Sequence, residues 1–256
     1  MKVASCTCLA VATAVMLLSG CGGSKSGAPV RAIFVLFDIS RSTDSTVVRQ
    51  RYFDDFVSVV QSCKGGEVIM GDIITENTLA SASFPINQTF PEDDPITTNE
   101  MLFRRAMKKA CSSLCANAHN IILKSPPASR TDLMNSFELA DKILNGGNNR
   151  GSKSKILVVF SDMVEQSPHY DFASVRLDQK RIKAIIEAER ASGRLPDLHG
   201  VRVWVAGATA TPHHGLDSSK INSIQNFWVA YFKACGADFS KYRYSQRLIN
   251  FNPPRG

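Results

Sequence analysis

Two aspartates and two serines carry the chemistry that this sequence advertises. Asp38, Ser40 and Ser42 stand at alternate positions in Asp-Ile-Ser-Arg-Ser, and Asp162 ends a second apolar run, Lys-Ile-Leu-Val-Val-Phe-Ser-Asp, far downstream. Carboxylates and hydroxyls together make an all-oxygen donor set. Such a set suits magnesium, manganese or calcium, and not zinc or copper. Two carboxylates held close without compensation repel each other, and a hard cation resolves that repulsion. Magnesium also keeps several waters, which leaves a position that an outside ligand can take.

For these residues to meet, the chain must bring two strand ends together. Residues 31–38 read as a strand in which Ile33, Phe34, Val35, Leu36 and Phe37 are apolar without alternation, as in a central strand covered on both faces. Residues 155–162 repeat that pattern. Further strands are expected at 67–75, 79–90, 201–206 and 238–248, with Pro85 and Pro91 placing 79–90 at an edge. Helical spacing of apolar residues predicts helices over 43–63, 99–123, 131–144, 177–192 and 218–235. Gly65-Gly66 and Gly146-Gly147 stop two of these. Thr97 and Glu100 match a capping box that opens the long helix, and Pro126-Pro127 breaks it. Strands alternating with helices predict an α/β fold. Its centre is a doubly wound, mostly parallel sheet of Rossmann-like type, with one antiparallel edge strand and helices on both faces. In such sheets the loops after strand carboxyl ends gather where strand order reverses. Asp38 and Asp162 meet there if their strands are neighbours.

Other groups have plainer readings. Asp38 and its serines could simply cap the following helix. The acidic run at 91–95 reads as a solvated turn. His169 and Asp171 follow Asp162 and could border the site, whereas His213-His214 reads as a surface pair. Arg41 and Arg130 are either solvent-facing or positioned to hold an acidic partner. No Gly-x-Gly-x-x-Gly or phosphate loop follows the first strand, and no Gly-x-Ser-x-Gly elbow occurs.

Asp38-Ile39-Ser40-Arg41-Ser42 resembles the Asp-x-Ser-x-Ser element of von Willebrand factor type A domains, and it stands directly after the first apolar strand as in that family. Thr131, opening a helix, and Asp162, in Phe160-Ser161-Asp162, occupy the places of the family's later threonine and aspartate. The resemblance covers residues 31–247. It implies a metal-ion-dependent adhesion site with Ser40, Ser42 and Thr131 as direct ligands and Asp38 and Asp162 binding directly or through water. The cofactor implied is Mg2+, or Mn2+ or Ca2+, and a partner protein's carboxylate would complete the site. Ser129-Arg130 departs from the glycine-rich approach common in the family, and Ser129 is an alternative to Thr131.

The amino terminus supplies an address. Residues 9–18 form an apolar segment too short to span a membrane, as in a signal peptide. Leu18-Ser19-Gly20-Cys21 then resembles a bacterial lipobox, which implies cleavage before Cys21 and a lipid on its sulfur. The expected organisation is a signal peptide at 1–20, lipidated Cys21 and a flexible tether at 21–30, the folded domain at 31–248, and a trailing tail at 249–256. The expected location is the bacterial cell envelope, lipid-anchored and not transmembrane. Gly22 lacks the aspartate associated with inner-membrane retention, which leans toward the outer membrane. At 256 residues and 44% hydrophobic content, the chain suffices for one full core. The formal charge is +7. Its basic residues are dispersed without interleaved aromatics, so no nucleic-acid partner is expected. Cys63, Cys111, Cys115 and Cys235 allow three disulfide pairings in an exported protein, while a zinc site lacks a second Cys pair or a nearby His.

The function these features predict is non-enzymatic: a membrane-anchored module that binds another envelope or extracellular protein through the metal. The alternatives are a metal-dependent hydrolase on a similar α/β sheet, or a structural envelope lipoprotein without metal. A haloacid-dehalogenase-type enzyme needs a second carboxylate two residues after the first aspartate, where this chain has Ser40.

Overall fold

The computed structural model describes residues 29–93, 99–208 and 215–253. Cys21, Thr97, His213 and His214 lie outside them. Six strands form one sheet: β1 (Arg31–Asp38), β2 (Glu67–Ile74), β3 (Ile86–Thr89), β4 (Ser154–Phe160), β5 (Val201–Ala206) and β6 (Tyr244–Ser245). Their order is β3-β2-β1-β4-β5-β6, and only the β2–β3 pair is antiparallel. The helices are α1 (Thr46–Gln61), α2 (Thr78–Ser81), α3 (Glu100–Lys124), α4 (Leu133–Leu144), α5 (Gln179–Ala191) and α6 (Ser218–Ala234). The fold is thus α/β and doubly wound, as the strand and helix pattern requires.

Side-chain alternation along the central strands fills two cores. Ile33, Val35 and Phe37 of β1 join Ile156, Val158 and Phe160 of β4 beneath α1 and α3. Phe34 and Leu36 join Leu157 and Val159 on the other face, beneath α4, α5 and α6. Both faces of β1 and β4 are therefore dry, which is why their sequences show no polar alternation.

Two strands are shorter than the sequence pattern predicts, and a carboxylate sets the boundary of each: buried Asp72 for one and exposed Asp238 for the other. Asp72 of β2 accepts hydrogen bonds from the Ser83 and Phe84 amides at 2.8 and 3.2 Å and turns the chain, with Phe84 at φ +48°. Residues 79–90 consequently contribute the end of α2, a turn and only four strand residues. In 238–248, Asp238 bridges to Arg202 of β5 and its carboxylate pairs with Arg202 at 2.8 Å and Arg243 at 3.0 Å. A 3-10 turn at Lys241–Arg243 follows, leaving Tyr244–Ser245 as the strand.

Helix starts also shift to their caps. Asn99 caps α3, accepting from the Met101 and Leu102 amides. Asp132 and Asp178 cap α4 and α5, so these helices begin two residues later than their apolar periodicity suggests. The four cysteines of the described residues are all free thiols. Cys63 lies in the core under α1 and α3, whereas Cys235 lies across the sheet from it. Among the described residues, no helix is long and apolar enough to cross a membrane.

Candidate metal centre

The chain winds outward from β1 in one direction through β2 and β3, and in the other through β4, β5 and β6. The reversal falls between β1 and β4, whose register pairs Phe37 with Phe160. Asp38 ends β1 and Asp162 follows β4 by two residues, so both carboxylates stand at the crevice where such sheets bind ligands.

The loop after β1 is built by its own side chains. Asp38 Oδ1 accepts from the Ser40 amide at 2.9 Å, a tight aspartate turn that reverses the backbone. Thr43 Oγ1 donates to the carbonyls of Asp38 and Ser40 at 2.8 and 3.1 Å, closing the 3-10 turn Arg41–Thr43 before α1. This turn places Ser40 Oγ and Ser42 Oγ 2.8 Å apart. Neighbouring ligands of a magnesium octahedron stand roughly 3 Å apart, given metal–oxygen bonds of about 2.1 Å. The two hydroxyls are hydrogen-bonded to each other as they stand, and that same separation is compatible with the spacing of two adjacent ligands. No helix-capping hydrogen bond comes from the Ser40 or Ser45 side chain, so capping does not account for the arrangement.

Asp162 is positioned from the opposite side. Its Oδ1 accepts from the Val164 amide at 3.0 Å. The residue between, Met163, adopts φ +64°, and its carbonyl accepts the Trp228 indole N–H at 2.8 Å. An α6 side chain thereby fixes the turn that carries Asp162. Between the two aspartates, Ser161 Oγ donates to Asp38 Oδ2 at 2.7 Å and accepts from the Met163 amide at 2.9 Å. Burial chiefly, and then the negative charge of Asp162, push the Asp38 carboxyl up to about 6. The pocket thus holds two buried acids in mutual repulsion.

Thr131 is buried on the segment that links all three strand ends. Ala128 donates to the Ile39 carbonyl at 3.0 Å, Asp132 to the Thr75 carbonyl at 3.1 Å, and Thr131 exchanges backbone hydrogen bonds with Gln166. Ser129 is exposed and its hydroxyl turns away to Glu76. Of the two hydroxyl candidates, Thr131 is the enclosed one. Asp171 spends its carboxylate on the Ala173 and Ser174 amides and the Ser174 hydroxyl, and is a turn-former. His169, Arg41 and Arg130 are exposed.

Three supporting residues had no signal in the sequence pattern that marked their role. Ser161 sits inside an apolar run, and only the fold shows it bonded to Asp38. Gly207, after β5, has φ +102°, and a Cβ there would lie 2.6 Å from Tyr52 Oη and 2.9 Å from the Ser161 carbonyl. Tyr52 is fully buried with no hydrogen-bond partner for its hydroxyl, and burial, Asp38 and Asp162 raise its pKa far above the ordinary value. Among the described residues, no three His, Cys, Asp or Glu side chains cluster as a metal site. A cation here would rely on the hydroxyls as well as the two acids, a donor set suited to a hard ion.

No protein-family model matches the chain, and no curated protein matches it. Among solved structures it is similar to the three N-terminal domains of the type V pili tip protein Mfa5 from Porphyromonas gingivalis, at 11% identity and a TM-score of 0.36. That similarity covers 71% of this chain and 28% of the other, so the chain spans well under two thirds of that structure's length. At that TM-score the likeness carries no argument, and function rests on the geometry of this chain.

Proposed function

We propose that this protein is a metal-dependent binding module of von Willebrand factor type A kind, tethered to the bacterial cell envelope through lipidated Cys21. Ser40, Ser42 and Thr131 would hold a magnesium ion, with Asp38 and Asp162 acting directly or through water. Bound there, the ion supplies an open coordination position for a carboxylate of a partner protein. The observation that carries this reading is the 2.8 Å hydroxyl pair beside two buried carboxylates at the sheet's reversal point. The tether reading rests on the Leu-Ser-Gly-Cys sequence alone.

Isothermal titration of the purified chain with magnesium, manganese and calcium tests the site. Divalent binding at millimolar concentration or tighter is expected for the wild type, and Asp38→Ala and Ser42→Ala should weaken it at least about tenfold. Absence of any divalent binding by the wild type sinks the reading. Turnover of a phosphoester, lost in Asp162→Ala, would instead favour a metal-dependent hydrolase. Labelled palmitate incorporated by cells expressing the wild type but not Cys21→Ser tests the anchor.

A further inference from the structure

A cavity of about 430 Å3 opens on the same end of the sheet as the candidate metal centre. Its floor is Ile39, which follows β1, and Ile73 of β2, and its far wall is the turn Pro126, Pro127 and Ala128 after α3. The volume falls in the usual range for small binding sites, and the space is open to solvent; its exposed surface is mostly apolar, with Thr75, Glu76, Asn77, Ser81 and Ser125 also lining it.

The cavity and the metal loop share their backbone. Ile39 directly precedes Ser40, and the Ala128 amide donates to the Ile39 carbonyl at 3.0 Å. Arg49, only 4% exposed, locks the same unit. Its guanidinium donates to the carbonyls of Ile39, Ile122 and Ser125 at 3.2, 3.3 and 2.6 Å and pairs with Asp44 at 2.8 Å. One buried cation thus gathers the end of β1, the last turn of α3 and the cavity wall. A cavity held this way is formed before anything binds, which lowers the ordering cost of binding. Glu76 lines the cavity, while Arg41 and Arg130, each two residues along the chain from a lining residue (Ile39 and Ala128), are exposed and belong to the loops beside the centre. The charge of the two arginines complements an acidic partner.

We propose that the cavity is a side-chain subsite of the metal centre, taking a large aliphatic or aromatic residue that the partner carries beside its metal-binding carboxylate. The inference rests on the metal-centre reading and adds what the partner presents: an exposed segment with Asp or Glu next to a bulky apolar residue. Ile39 lines the cavity and Ser40, the next residue, belongs to the centre, and consecutive residues of a partner's extended segment are likewise separated by about 3.8 Å.

The probes are fluorescein-labelled peptides Gly-Gly-Asp-Xaa-Gly-Gly and Gly-Gly-Xaa-Asp-Gly-Gly, with Xaa as Leu, Phe, Ser or Lys. They are titrated with the full chain in saturating magnesium and read by anisotropy, while magnesium binding is measured separately by calorimetry. In at least one order, Leu or Phe should bind about tenfold tighter than Ser, and chelator should abolish binding. Asn77→Trp fills the mouth from an exposed position whose side chain makes no capping bond. Pro126→Glu puts a charge on the wall. Both should remove the Leu or Phe preference while leaving magnesium affinity and melting temperature unchanged. If magnesium binds but the peptides bind without regard to Xaa, or not at all, the subsite is overturned and the metal reading stands. A preference that survives chelation severs the cavity from the metal and overturns the proposal too. If magnesium itself does not bind, both readings fall together.

Discussion

Asp38 carries an electrostatic cost that a bound cation would relieve. Its carboxyl is pushed up to about 6, first by burial and then by Asp162, against an ordinary 3.8. The folded chain therefore binds a proton that the unfolded chain releases, and metal-free stability falls as pH rises from about 4 to about 6. At about 1.4 kcal/mol per pH unit across that window, the loss approaches roughly 3 kcal/mol. Asp38→Asn keeps the size and the Ser40 contact while removing the charge. In chelator at pH 7 it should melt higher than wild type and show a flatter pH profile in denaturant titrations. A lower melting temperature at pH 7 contradicts the argument. In magnesium the order should reverse, because only the wild type gains from the ion. At this scale the site was legible where its spacing is local: Asp38, Ser40 and Ser42 lie within one turn of chain, and Asp162 repeats the same strand-end signature. Ser161, Tyr52 and Gly207 were not, because each acts through a contact between distant segments. No local pattern distinguishes a serine that bonds Asp38 from one that lies idle.

The elements that hold the site obey the same physics. Glu165 is fully buried, and its Oε2 accepts from the Leu133 and Met134 amides at 2.8 and 3.3 Å, the first turn of α4. It fastens the loop after Asp162 to the helix that follows Thr131, and these amides have no partner within their own helix. Burial, with Asp132 adding to it, pushes the Glu165 carboxyl up to about 8 from 4.5. The folded state again holds a proton that the unfolded state has lost. Stability should fall by up to roughly 1.4 kcal/mol per pH unit between about pH 5 and 7 and level off above the folded value. Glu165→Gln retains the acceptor for both amides and cannot ionise. Chemical denaturation across pH 5–9 should show that part of the slope removed, and a slope that persists unchanged assigns it elsewhere. Helices and inner strands were legible because long apolar periodicities set them. Their first turns and the two outer strands were not, because Asp72, Asp132, Asp178 and Asp238 decide those boundaries by bonding backbone amides and arginines. In a sequence these are ordinary acidic residues, Asp72 within a strand and the other three outside the regular elements.

Over the whole molecule, the chain's last described stretch does structural work that its loose composition conceals. Residues 246–253 run back across the sheet instead of trailing from it. Arg247 grips Asp55 of α1 through two nitrogens at 3.0 and 2.8 Å, and the Leu248 amide donates to the same carboxylate at 2.9 Å. Phe251 packs edge-on against Trp204 of β5 with ring centres 5.2 Å apart. The Pro253 carbonyl then accepts from Arg31, a buried residue whose guanidinium also meets Glu67 at 3.4 Å where β1 and β2 begin. The strap thus joins α1, β5 and the entry to β1, on the face opposite α4 to α6. Removing residues 247–256 would leave Asp55 buried without its cation and take one carbonyl from Arg31. Arg247 is about half exposed, so solvent screens part of its pairing, and the expected loss is about 1–3 kcal/mol. The same deletion in an Asp55→Asn background should cost less, since the carboxylate that needs the strap is gone. Melting temperatures of the four proteins in this cycle decide it. A deletion that costs the same in both backgrounds shows that Phe251 packing and the Arg31 contact, not the Asp55 pair, hold the strap down.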